Sequence, residues 1–154
     1  MKKQYLLIVG IIIFLSACNS STTTTTAQAA ASDPLPQSGG YSNIENAKLD
    51  EFIHTGVTVV DIRRQEEWRQ TGILEGSKTI TFFDNNGQIN PDFVPQFTAI
   101  TDPEKPVILI CRTGNRTKAA SKAIARQLGY KKVFNVTRGI TGWISEKRPV
   151  VQYR

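Results

Sequence analysis

The chain of 154 residues holds two cysteines and one histidine, and their settings decide which chemistry is open to it. Cys111 follows the apolar run Val107-Ile108-Leu109-Ile110, which reads as a buried strand. It precedes Arg112-Thr113-Gly114-Asn115-Arg116 and a helical stretch over 117–128. A thiol between a strand end and a helix start, with two arginines beside it, is placed to ionise. The positive end of the helix dipole and the cationic neighbours both favour the thiolate. Gly114 permits backbone conformations closed to other residues. Successive amides around it can form an anion nest, completed by the N-terminus of the helix. Such a ring would hold the sulfur ionised and receive an oxyanion. No general base is then needed. His54, the one histidine, closes an early helical stretch and is expected to face solvent or cap that helix, so no Cys-His dyad is expected. One thiol and one imidazole in the folded part offer no ligand cluster, and no metal or other cofactor is expected.

Cys18 has a different setting. Lys2 and Lys3 form a basic start, and 5–15 is an apolar stretch interrupted by Gly10. Its 11 residues are too few for a spanning helix, which needs ~20, but suit the core of an export signal. Leu15-Ser16-Ala17-Cys18 resembles the bacterial lipobox. That resemblance implies cleavage before Cys18, with 1–17 as lipoprotein signal peptide and Cys18 as the lipidated first residue. Asn19 lacks the aspartate that in enteric-type sorting retains lipoproteins at the inner membrane. The expected location is the cell envelope, lipid-anchored and periplasm-facing, with the outer membrane favoured over the inner. Residues 18–40 include a threonine run, an Ala/Gln patch, two prolines and Gly39-Gly40. They lack the apolar content to offset ordering and read as a flexible tether. Cys111 is then left with no intramolecular disulfide partner, which in an exported protein points to a reactive thiol or an intermolecular pair.

The positioning elements follow in 41–154, enough residues for one domain and too few for two. Helices are expected at 47–54 (Asn46 as N-cap), 65–70, from Asn90-Pro91 onward, 117–128 and 140–146; strands at 57–62, 78–82, 107–111 and 133–136. Phe93, Val94, Phe97 and Ile100 are expected to form one apolar helix face. Strands alternating with helices predict an α/β fold with a central parallel sheet covered on both faces. Ligands bind such sheets at the carboxyl ends of the strands. Cys111 and Asp61 both fall at such ends.

Three stretches, in order, resemble the single-domain rhodanese family. They are Val59-Val60-Asp61-Ile62-Arg63 with Glu66-Glu67-Trp68 and Gly72-Ile73-Leu74-Glu75-Gly76-Ser77; Cys111-Arg112-Thr113-Gly114-Asn115-Arg116; and Val136-Thr137-Arg138-Gly139-Ile140-Thr141-Gly142-Trp143. The chain departs from the family pattern at Ile73, usually histidine, and at Arg138, usually the first of two glycines. The resemblance implies a rhodanese-like fold and a sulfurtransferase working through a Cys111 persulfide. The donor would be thiosulfate or a similar small anion, and the acceptor a small or protein thiol, or cyanide. Arg112, Thr113, Gly114, Asn115 and Arg116 would bind the substrate. The related phosphatase branch has five residues between cysteine and arginine; here there are four, which favours sulfur over phosphate. The alternative is a non-catalytic or persulfide-carrying interaction module.

The remaining prominent side chains have plainer readings. Asp61 is expected to pair a nearby arginine or cap backbone amides. Trp68 and Trp143 are expected in packing. Glu66-Glu67, Lys131-Lys132 and Glu146-Lys147-Arg148 are expected on solvated faces. Arg138 is expected either to add a cation at the pocket rim or to point to solvent. The formal charge of +6 falls by two when Lys2 and Lys3 leave with the signal. This excess suits small anions. No basic stripe with interleaved aromatics appears, so nucleic acid is not an expected partner.

Overall fold

The computed structural model describes residues 31–154. The expected signal peptide 1–17, Cys18 and the first part of the expected tether lie outside the described residues. In chain order the elements are β1 (Leu35–Pro36), β2 (Ser42–Ile44), α1 (Asn46–His54), β3 (Thr58–Asp61), α2 (Gln65–Thr71), β4 (Lys78–Thr79), α3 (Phe93–Ile100), β5 (Val107–Ile110), α4 (Asn115–Gln127), β6 (Val133–Val136) and α5 (Gly139–Ser145).

The strands form one sheet in the order β1-β2-β6-β5-β3-β4. Every pairing is parallel except β1 with β2, so the expected parallel sheet carries an antiparallel edge. β5 lies between β3 and β6 and is buried at every position. Its continuous apolar run reflects a strand covered on both faces. Alternation divides the core. Val107, Leu109 and Cys111 join Phe93, Phe97 and Ile124 on the α3/α4 side. Ile108 and Ile110 join Leu49, Ile140 and Trp143 on the α1/α5 side. Helices therefore cover both faces, as strands linked through helical crossovers require.

Several expectations shift. The segment 35–40, expected as tether, is part of the sheet edge: Leu35 lies opposite Asn43 and Pro36 opposite Ser42. The carbonyl of Ser38 accepts a bond from Arg126 at 2.7 Å. The domain thus begins before residue 41. Asn46 is the first residue of α1 and buried, and Glu45 takes the N-cap position. The expected strand 78–82 is in register with β3 only at Lys78–Thr79; Ile80 and Phe82 still donate their N–H groups to the Asp61 and Ile62 carbonyls before the chain turns around Asp84. On α3, Phe93 and Phe97 are fully buried while Val94 and Ile100 are exposed. Two aromatic rings one turn apart, stacked at 5.3 Å, suffice to dock this short helix. Trp68 packs on Tyr153, and the indole of Trp143 donates to the Pro149 carbonyl, so both tryptophans pack as expected. His54 is exposed, with Nδ1 2.8 Å from the carbonyl of Asp50.

Candidate active site

β5 ends at Ile110, and Cys111 is the first residue past it. α4 begins at Asn115, two residues earlier than its apolar pattern predicts. The cause is Gly114, whose φ of 88° places it in the left-handed region. A Cβ at Gly114 would fall on the carbonyl of Thr137, so glycine is required there both by conformation and by space. The connection from Cys111 to the helix is therefore three residues long.

The short loop is fixed from two sides. Below, Thr117 donates its hydroxyl to the Gly114 carbonyl at 2.9 Å. Beside it, the N–H of Ile140 donates to the Cys111 carbonyl at 2.9 Å and that of Thr141 to the Arg112 carbonyl at 3.1 Å. Gly139 permits this second contact, because a Cβ there would meet the same two residues' backbone. The loop is thus pinned to the first turn of α5, which joins the cysteine loop to the 136–143 stretch.

Cys111 is buried at 0% exposure. Its Sγ accepts the Gly114 N–H at 3.2 Å and lies 3.4 Å from Thr117 Oγ1. Among the described residues, the N–H groups of Arg112, Thr113, Asn115, Arg116 and Thr117 meet no acceptor. Unspent amides at a strand-to-helix turn, joined to the positive end of α4, are the makings of a cradle that can receive an anion.

The charges around the cradle are unequal. Arg116 is the second residue of α4, and its guanidinium grips Glu67 with two bonds of 2.7 and 2.6 Å. Glu67 was expected on a solvated face; instead its side chain is 14% exposed and faces the loop. Its carboxylate also accepts the Arg64 N–H at 3.2 Å, closing the first turn of α2. Burial opposes the charge of Glu67, but the bonds from Arg116 and the Arg64 amide outweigh it and hold the carboxyl below its ordinary range. Arg116 is in turn held further into its charged form, first by that hydrogen bond and then, against burial, by the charges of Glu67, Cys111 and Asp61.

Asp61 and Cys111 end adjacent strands, with Asp61 in register with Ile110. Asp61 forms a buried pair with Arg63, Nε to Oδ1 at 2.9 Å and the terminal nitrogen to Oδ2 at 2.7 Å, as its plainer reading anticipated. Arg63 continues to the Gly72 carbonyl at 2.8 Å and the Thr71 hydroxyl at 2.6 Å. This staple ties α2 to the end of β3 and so places Glu67. Arg138 pairs Glu146 at 3.0 Å on the surface and also reaches Ser145, so it points along α5 and not into the cradle. Of the two arginines, Arg112 alone is exposed, and among the described residues its guanidinium has no ion pair or hydrogen bond.

Arg112 stands between two clefts. One, of about 440 Å³, is lined by Arg64, Glu67, Phe83, Asn85, Arg112 and Arg116 among others. The other, of about 280 Å³, is lined by Glu67, Gln70, Arg112, Ile140, Thr141 and Ile144 among others. Among the described residues no three His, Cys, Asp or Glu side chains gather as a metal site.

The Rhodanese-like domain family model matches residues 41–146. The chain belongs to the rhodanese-like domain family. Its rhodanese domain is 32% identical over 95 residues to an uncharacterized protein of Rickettsia prowazekii, covering 59% of this chain and 75% of that one. It is 28% identical over 114 residues to thiosulfate sulfurtransferase 18 of Arabidopsis thaliana, covering 70% of this chain and 82% of that one. Among solved structures it is similar to a rhodanese-related protein from Thermoplasma volcanium, with TM-score 0.58 and 32% identity, covering 72% of this chain and 98% of that chain.

Sequence reasoning about this rhodanese domain placed Cys111 through Arg116 in one loop, and the structure brings them together at the strand end. It missed Thr117, which looked like ordinary helix. Its signal is its position six residues after the cysteine, at the first turn of α4. It also missed Glu67, whose partner lies 49 residues away.

Proposed function

We propose that the protein is a sulfurtransferase in which Cys111 carries a persulfide. The observation that carries this reading is the cradle: a buried sulfur holding one amide bond, beside five amides with no acceptor. The thiolate attacks the outer sulfur of thiosulfate or a similar donor. A new S–S bond forms to Sγ, the donor's own S–S bond breaks, and sulfite leaves with its electron pair. An acceptor thiolate or cyanide then attacks the outer sulfur of the persulfide and restores the Cys111 thiolate. Each step is a displacement at sulfur, in a two-step covalent cycle. The free amides and Arg112 stabilise the anionic donor and the terminal charge of the persulfide. Adding the second sulfur lengthens the side chain by about 2.05 Å, which suits a nucleophile set below the surface.

Cys111→Ser tests this reading. The purified chain is expected to form thiocyanate from thiosulfate and cyanide and to gain the mass of one sulfur atom with thiosulfate alone. The variant is expected to do neither. Undiminished turnover in Cys111→Ser would sink the proposal, and a stable persulfide without turnover would identify a carrier module.

We also propose the cell envelope as its location, with Cys18 lipidated and the domain facing the periplasm from the outer membrane. Lys2, Lys3, the 5–15 stretch and Leu15-Ser16-Ala17-Cys18 support this reading. Cys18→Ser is expected to leave the protein unprocessed or release it from membranes. A processed variant that still sediments with membranes would overturn it.

A further inference from the structure

Two clefts of different character flank one catalytic loop. The larger brings three guanidinium groups, from Arg64, Arg112 and Arg116, together with the Asn85 amide and the two carboxylates of Glu67 and Asp84. The smaller shares Arg112 and Glu67, adds Arg63, Gln70 and Thr71, and sets Ile140 and Ile144 with Thr141 along one wall. Ile144 is 40% exposed. Its wall is joined to the nucleophile's own backbone, through Ile140 N–H to the Cys111 carbonyl and Thr141 N–H to the Arg112 carbonyl. Arg112 belongs to both clefts, and its charge has no partner among the described residues.

We propose that the two half-reactions use different clefts: the anionic donor approaches through the polar one, and an acceptor thiol with an apolar body seats in the smaller one, against Ile140 and Ile144. This rests on the sulfurtransferase reading above. A dianionic donor loses hydration against an apolar wall without replacement, so it is drawn to the guanidinium and amide lining. An acceptor of the form R–S⁻ has two parts with opposite needs. Its alkyl part gains by leaving water against the isoleucines, and its sulfur remains beside the Arg112 charge. The transfer balances without an added oxidant or reductant. The acceptor thiolate bonds to the outer persulfide sulfur, the bond from that sulfur to Sγ breaks, and the products are R–S–S⁻ and the Cys111 thiolate.

The test uses the whole purified chain, thiosulfate as donor, and a series of straight-chain alkanethiols from ethanethiol to hexanethiol. Their thiols ionise alike, so a trend with chain length reports burial of the alkyl group. The expected result is a rise in kcat/KM of up to about fourfold per methylene over the first members. In Ile144→Asp, an exposed position that a charge can occupy, the slope should vanish. In Asn85→Asp, on the opposite wall, it should persist. A flat series in the unsubstituted protein, or a slope unchanged in Ile144→Asp, overturns the cleft assignment. A slope lost in Asn85→Asp and kept in Ile144→Asp places the alkyl group in the polar cleft and also overturns it. Thiocyanate formation with cyanide, which has no alkyl body, separates the two levels. If it proceeds while the thiol series fails, only the acceptor cleft is wrong. If it is absent as well, the sulfurtransferase reading fails.

Discussion

Replacing Glu67 with glutamine removes one charge from the contact that joins α2 to the first turn of α4, with little change of shape. The contact is a two-pronged bond to Arg116, with side chains 14% and 26% exposed. Hydrogen bonds to charged groups contribute about 1.5–3 kcal/mol each, and breaking a fully buried pair costs about 3–5 kcal/mol. This pair keeps partial access to water, and the single glutamine oxygen, set where Oε2 stands, can still accept from both Arg116 and the Arg64 amide, while the amide NH2 faces the second Arg116 nitrogen without a bond. The expected loss at neutral pH is therefore about 2–3 kcal/mol, a fall in Tm of roughly 6–15 °C for a domain of this size. The pH dependence makes the test specific. The carboxyl is held below its ordinary value in the folded state. Its stabilising contribution is thus fully present above the unfolded-state value of about 4.3. It is lost as pH falls through the lower folded-state value. Urea unfolding of Glu67→Gln and the unsubstituted protein, compared from pH 7 down to pH 3, should show a gap that narrows below about pH 4.3. A gap of constant size across that range would refute the ion-pair reasoning and assign the loss to packing. The same substitution leaves Arg116 as an unpaired cation in the polar cleft, so the KM for thiosulfate should fall even as the loop loosens.

Two further substitutions probe the loop directly. Gly114→Ala should cost about 1–3 kcal/mol from left-handed strain alone, with the overlap on the Thr137 carbonyl added; thermal unfolding measures it, and an unchanged Tm would mean the loop is not held as described. Thr117→Val keeps the volume but removes the hydroxyl 3.4 Å from Sγ. The hydroxyl proton is given to the Gly114 carbonyl, so its loss frees that end of the loop by about 0.5–1.5 kcal/mol and predicts a roughly two- to tenfold fall in kcat/KM. Thr117→Ser, which keeps the hydroxyl, should restore most of it, and full activity in Thr117→Val would mean that the bond to Gly114 does not hold the loop.

The layered α/β fold was legible from patterns that sequence carries locally. The β-branched run 57–62, the apolar 107–111 and the helical periodicity of 117–128 each announce an element through side chains close along the chain. The place of Cys111 was legible too, because a cysteine between an apolar run and Arg-Thr-Gly-Asn-Arg needs no distant partner to be recognised as unusual. Boundaries were less legible. The start of α4 moved to Asn115 because Gly114 turns the chain sharply, and the strand at 78–82 shortened because its pairing depends on β3, not on its own residues. Val94 and Ile100 looked inward by periodicity, yet the sheet offers α3 room for only the two phenylalanine rings. Residues 35–40 looked like linker, because edge pairing with β2 leaves no mark in composition.

The sequence by itself determined that a lone thiol in the folded part sits at a strand-to-helix turn with amides and cations nearby, since every one of those groups lies within six residues of Cys111. Tertiary structure decided which of the charges are free. Arg112 and Arg116 look equivalent in the loop, but α2, stapled to β3 through the Asp61–Arg63 pair, presents Glu67 to Arg116 and leaves Arg112 without a partner among the described residues. It also decided that the loop rests on α5, with Gly139 allowing backbone to meet backbone, and that Arg112 stands between a polar and an apolar cleft. Charge pairing and close backbone approach are contacts between segments far apart in the chain, and only the folded molecule brings those segments together.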